Sequence, residues 1–191
     1  MLQFIQSIDE TVLLFIQEHL RVACLNQPLV WISSLGDAGI FWILLGLVLA
    51  IVPKTRKYGV LALSSLLVCF LFNNLLLKNL VARPRPYTRL PELTMLMPCP
   101  SDHSFPSGHA CASFAAAGSL WWNMGKKWNV IRIPALVLAI LIALSRLYVG
   151  VHFPTDVLTG TAVGLVGSFL VCRYLSPIYD RAEHRLRNRG A

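Results

Sequence analysis

The stretch AGIFWILLGLVLAIVP, residues 38–53, contains no charged side chain and stops at a proline. Its apolar residues form an unbroken run instead of a stripe at helical spacing, the pattern of a helix surrounded by lipid on most sides. A basic turn, Lys54, Arg56 and Lys57, follows at once. Outward from this stretch, a second run covers about 58–77 and ends at Lys78. A third starts at Ser107 and ends near WWNMGKKW, a fourth covers about 130–148, and a fifth about 154–175. The bulk figures agree: 55% of residues are hydrophobic and 14% charged, with a mean hydropathy of +0.61, which is too apolar for an ordinary soluble domain. The predicted fold is all-α, a polytopic transmembrane bundle of five spans. One domain is expected over residues 1–191, with the bundle at 38–175 and a basic cytoplasmic tail at 176–191.

Residues 1–37 read differently. IDETVLLFIQEHLRVACL has apolar residues at helical spacing but carries Asp9, Glu10, Glu18 and Arg21. It is expected to be an amphipathic segment in the outer interface, the alternative being a sixth span across 11–33. A basic start, a compact apolar core and a small-residue cleavage site are lacking, so no removable signal peptide is expected. The net charge of +8 is not gathered into a face for nucleic acid, and no nucleic-acid partner is expected. The basic residues fall in the 54–57 turn, at Lys126 and Lys127, and in a tail with Arg173, Arg181, Arg185, Arg187 and Arg189. Alternating spans put these on one side, which the positive-inside rule makes cytoplasmic. The 80–106 loop and the 149–153 turn then share the outer side of a multi-pass cell-membrane protein. The five cysteines, Cys24, Cys69, Cys99, Cys111 and Cys172, lack metal-ligand spacing, and most read as buried thiols.

Ionisable residues collect on that outer side: Lys78, Arg83, Arg85, His103, His109, Arg146, His152 and Asp156. Charge beside a membrane span is costly and marks function when it faces the bundle interior. For Arg83 or Arg89 alone, a snorkelling interfacial role weighs as much. Lys78, Arg85 and Arg146 offer permanent cations suited to a dense oxyanion, with guanidinium forks matching phosphate oxygens in pairs. In PSGH, Ser107 is a good N-cap and Gly108 allows close backbone approach, so the free amides of a helix start face an anion. His152 and Asp156 are four apart with Pro154 between them. In a first helical turn the carboxylate would fix the imidazole tautomer and leave the other nitrogen as a nucleophile. His109, on another helix, would protonate a leaving oxygen. The small residues of GHACASFAAAGS and LTGTAVGLVGS allow close helix packing, or a groove for an acyl or prenyl chain.

KNLVARPRP (78–86), PSGH (106–109) and SRLYVGVHFPTD (145–156) resemble, in order and spacing, the three signature motifs of the type 2 phosphatidic acid phosphatase superfamily. No matched position departs from the pattern. ISSLGDAG, residues 32–39, resembles an external interfacial segment of the short bacterial members. The resemblance implies a lipid phosphatase in which His152 attacks phosphorus to form a phosphohistidine and Asp156 orients it. His109 would protonate the leaving group and then help to activate water. Lys78, Arg85, Ser107, Gly108 and Arg146 would bind the phosphoryl oxygens. It implies no cofactor and no metal, and the sequence holds no paired-carboxylate cluster for magnesium. His103 lies outside the motifs and reads as a loop residue. The expected partner is a lipid phosphate in the membrane, with no obligatory protein partner. Undecaprenyl diphosphate is the expected substrate; phosphatidylglycerophosphate, phosphatidic acid and lipid A are the alternatives. Two other classes fit the residues less well. The soluble vanadate-dependent haloperoxidases share this pocket, but five apolar spans argue against them. A lipid or anion transporter has use for the cations but none for the His152–Asp156 pair.

Overall fold

The computed structural model describes residues 2–189, in which every regular element is helical. The last two positions of the expected tail lie outside the described residues. Helix α1 (Leu2–Phe15) runs through a π-helical turn (Ile16–Leu20), and α2 (Ala23–Leu35) follows. A 3-10 turn (Asp37–Gly39) leads into α3 (Ile40–Ile51). Helix α4 (Arg56–Phe70) continues through a π-helical turn (Leu71–Leu77) into the short α5 (Lys78–Val81). After a long loop come α6 (Gly108–Asn123), α7 (Asn129–Tyr148) and α8 (Pro154–Arg189).

The chain is a multi-pass membrane protein. Three segments, Arg56–Thr88, Lys126–Tyr148 and Pro154–Leu186, are long and apolar enough to cross a bilayer. A fourth crossing is available if α2 and α3, which meet at a 46° bend, count as one broken span. Two of the five expected spans are therefore too short by themselves. Helix α3 has 12 residues, and α6 has 16. At 1.5 Å per residue these are about 18 and 24 Å long, against a hydrocarbon thickness of about 30 Å.

The reason lies in where α6 sits. It packs against α4, α7 and α8 at the middle of the bundle, and ten of its residues, from Ala110 to Leu120, are buried. A helix enclosed by protein needs small side chains more than long apolar ones. A Cβ at Gly160 or Gly164 of α8 would collide with the backbone of Ser107 or Cys111, so these two glycines let α8 lie directly on α6. Trp42 is fully buried and its Nε1 donates to Ser113 Oγ at 3.0 Å, pinning α3 to the same helix. The outer helices turn apolar side chains outward instead: Leu44 and Val48, Leu67 and Phe70, Val137 and Leu144, and Leu158 and Phe169 are all exposed. Such a surface is stable in lipid.

The first 37 residues are not one amphipathic segment but two helices separated by a π-helical turn. Asp9, read as part of a charged interfacial face, is fully buried. At the opposite end of the bundle, Lys57 Nζ donates to Asp180 at 2.7 Å, tying the basic 54–57 turn to the far end of α8.

Candidate active site

The 149–153 turn sets the site. Val149 N–H bonds Ser145 O, Val151 N–H bonds Arg146 O, and Gly150 takes a φ of 84° that favours glycine. The turn is buried throughout, and it delivers His152 beneath the 82–107 loop with 1% of its surface exposed. Its Nδ1 lies 3.5 Å from Asp156 Oδ2, and its Nε2 lies 3.4 Å from Arg85 Nη1. Asp156 stands in the first turn of α8, as the His-x-x-x-Asp spacing predicts. It is held from several sides. Phe153 N–H donates to Oδ2 at 2.9 Å, Ser104 Oγ donates to the same oxygen, and Arg83 Nη1 donates to Oδ1 at 2.6 Å.

Burial pushes the His152 pKa down to about 3; the nearby Asp156 carboxylate opposes this, and the charges of Arg85 and Arg146 add to the fall. The imidazole is therefore neutral near pH 7, with a lone pair available.

Lys78, Arg85, Gly108, His109, Arg146 and His152 all line one cavity of about 750 Å³. The π-helical turn ahead of α5 redirects Lys78 inward, where it is buried. Arg146 is 2% exposed; its Nη1 donates to Ser33 Oγ at 2.5 Å while its Nε is buried without a partner. A buried unpaired guanidinium N–H beside a cavity is a donor waiting for an acceptor. Ser107 stands apart from the others. Its hydroxyl caps α6 by accepting from Ala110 N–H at 3.4 Å, and its own N–H donates to Asp156 O at 3.0 Å. It supports the cavity from behind and does not line it, leaving Gly108 as the helix-start residue at the cavity wall. The rest of the wall is apolar, with Ile43, Leu63, Leu66, Leu67 and Phe70 coming from α3 and α4.

Four further polar side chains reach the site besides those given a role from the motifs. Asp102 sits in the loop between α5 and α6 and accepts from Lys78 Nζ and from Arg85 Nη2, the latter at 2.5 Å. Burial works to raise its pKa, but the Lys78 hydrogen bond and the charges of Arg85 and Lys78 prevail and hold it well below the usual carboxylate range. Arg83, weighed as a snorkelling side chain, instead joins Asp156 to the buried Asp9 at 2.7 Å and stacks its guanidinium over Phe153 at 4.2 Å. Asp9 also accepts from Thr155 N–H at 3.0 Å. Asp37, in the α2–α3 turn, bonds His109 Nε2 at 2.9 Å. Arg83 lies inside the first motif and Asp102 shortly before the second, so both had a visible signal. Nothing local marked Asp9.

A membrane bundle with a cationic pocket at one end, holding two histidines on separate elements, has the chemistry to handle an oxyanion. Residues 58–179 match the PAP2 superfamily; the chain belongs to that family and is a hydrolase of its kind. An undecaprenyl-diphosphatase of Sulfolobus acidocaldarius is 34% identical over 150 residues, covering 78% of this chain and 70% of that one. A decaprenylphosphoryl-5-phosphoribose phosphatase of Mycobacterium tuberculosis is 35% identical over 134 residues, covering 70% of this chain and 71% of that one. Among solved structures, a PAP2 type phosphatidylglycerolphosphate phosphatase from Bacillus subtilis superposes with a TM-score of 0.70 at 32% identity, covering 91% of this chain and 87% of that one.

Proposed function

We propose that this protein hydrolyses a polyprenyl diphosphate, undecaprenyl diphosphate in the first place, through a phosphohistidine and without a metal. His152 Nε2 attacks phosphorus, and Asp156 holds the ring by its other nitrogen. His109 gives a proton to the leaving oxygen and then takes one from water. Lys78, Arg85, Arg146 and the amides near Gly108 neutralise the equatorial oxygens, which is most of what phosphoryl transfer requires. One observation carries the reading: a buried imidazole stands between an aspartate and an arginine at the wall of a cavity that has three cations. The apolar wall from α3 and α4 suits a lipid tail, and the prenyl-linked substrates in the names of two relatives support a prenyl chain.

In this reading the chain works as one unit, because Asp9 and Asp37 from the first 37 residues reach the site. Five helical passes, α3 and the short α6 included, put the site on the extracytoplasmic side. The basic turns at the opposite end of the bundle support that orientation. The solved phosphatidylglycerolphosphate phosphatase supports a second substrate, phosphatidylglycerophosphate.

The test is phosphate release in detergent, with EDTA, from undecaprenyl diphosphate, phosphatidylglycerophosphate and phosphatidic acid. Release is expected to be fastest from the diphosphate and unchanged by the chelator. His152→Ala is expected to lose release while still binding a headgroup. Abolition by EDTA overturns the metal-free mechanism, and a preference for either glycerolipid overturns the substrate.

A further inference from the structure

The turn between α2 and α3 has an unusual shape. Ala38 and Gly39 both take positive φ, 50° and 67°. An alanine there is strained, and such strain persists where the surroundings demand it. Gly36, just before, has no space for a side chain: a Cβ would stand 2.5 Å from His109 Cδ2 and 2.9 Å from Ile142 Cγ2. Between these, Asp37 Oδ1 lies 2.9 Å from His109 Nε2. Gly36 thus gives the imidazole its seat, and the left-handed residues turn the chain so that Asp37 faces the ring.

We propose that Asp37 is a positioning residue for His109, fixing the nitrogen through which that ring exchanges protons with the substrate. The proposal rests on the phosphatase reading above. The Nε2–Cδ2 edge of the ring is occupied by Asp37 and Gly36, so Nδ1 is the atom left for the reacting oxygen. In the first half-reaction, the His152 Nε2 lone pair forms the P–N bond. The bond from phosphorus to the leaving oxygen breaks, and that oxygen keeps the electron pair and takes the Nδ1 proton of His109. In the second, water oxygen forms the new P–O bond, its proton goes to Nδ1, and the P–N pair returns to His152. His109 must therefore be charged at the start of each cycle. Burial opposes that charge most, Arg146 and Arg85 add to the opposition, Asp37 offsets part of it, and Lys78, His152 and Asp102 line the same cavity.

The test compares kcat/KM for two probes, farnesyl monophosphate and p-nitrophenyl phosphate. This ratio counts steps only as far as leaving-group departure. An alkoxide needs a proton to leave; a nitrophenolate does not. Asp37→Asn is expected to lower the value for the farnesyl ester at least about tenfold, part of the usual general-acid contribution, and that for the aryl ester less than about threefold. Asp37→Glu is expected to recover part of the loss. Gly36→Ala, which keeps the carboxylate but crowds the ring, is expected to show the same dependence on leaving group. Asp37 is 54% exposed, so its replacement leaves the core intact, and thermal unfolding checks this. Equal losses on both esters, or none, overturn the proposal. Wild-type protein that releases phosphate from neither ester nor from the lipids overturns the phosphatase reading instead.

Discussion

His152 gives the site a pH signature of its own. The folded ring, with its pKa pushed down to about 3, stays neutral over a range in which the unfolded chain, at about 6.5, takes up a proton. Stability from this residue is complete above pH of about 6.5 and is lost as pH falls toward the folded value. Thermal unfolding in detergent is therefore expected to drop on acidification from pH 6.5 to 4, less steeply in His152→Gln. Equal slopes would mean a ring that titrates normally. Arg83 makes a second residue-scale prediction. Arg83→Met leaves Asp9 buried without its charge partner and strips a donor from Asp156. Breaking a buried pair this way costs about 3 kcal/mol, to be read as a lower unfolding midpoint together with slower phosphate release.

Among the helices, the α6–α8 contact matters most for the chemistry, since it fixes Ser107 behind Asp156. Gly164→Leu forces a side chain against Cys111 O and Ala115 N. Overpacking of this kind costs about 1–3 kcal/mol, and activity should fall with it as α8 is pushed outward. Gly125→Ala, at a position with open space around it, should change neither melting nor turnover. This is also the scale at which the sequence was least legible. Apolar runs report what faces lipid, so α7 and α8 could be read closely from 130–148 and 154–175. Helix α6 carries a similar run for a different reason, enclosure by protein, and only the packing separates the two. The motif residues were legible because charges beside lipid are rare. The carboxylates Asp9 and Asp37 were not. Asp9 meets Thr155 across 146 residues of chain and Asp37 meets His109 across 72, contacts that tertiary packing alone creates.

For the molecule as a whole, the proposed orientation can be checked with its own thiols. Cys24 and Cys99 are exposed, whereas Cys69, Cys111 and Cys172 are buried. In Cys24→Ser, a membrane-impermeant maleimide added to intact cells should label Cys99 in the outer loop; labelling only after lysis would invert the topology. The same loop carries Asp102, whose seat between Lys78 and Arg85 has a consequence for traffic through the pocket. In the proposed mechanism an arriving phosphate would exchange with the carboxylate already paired to Lys78 and Arg85, so those two cations would not be left bare. The exchange would also run in reverse, with the carboxylate competing for its old place while product is still bound. Asp102→Asn removes that competitor, and inorganic phosphate is then expected to inhibit at several-fold lower concentration. By this account the loop is a built-in rival to the product, and it helps to clear the pocket for the next lipid.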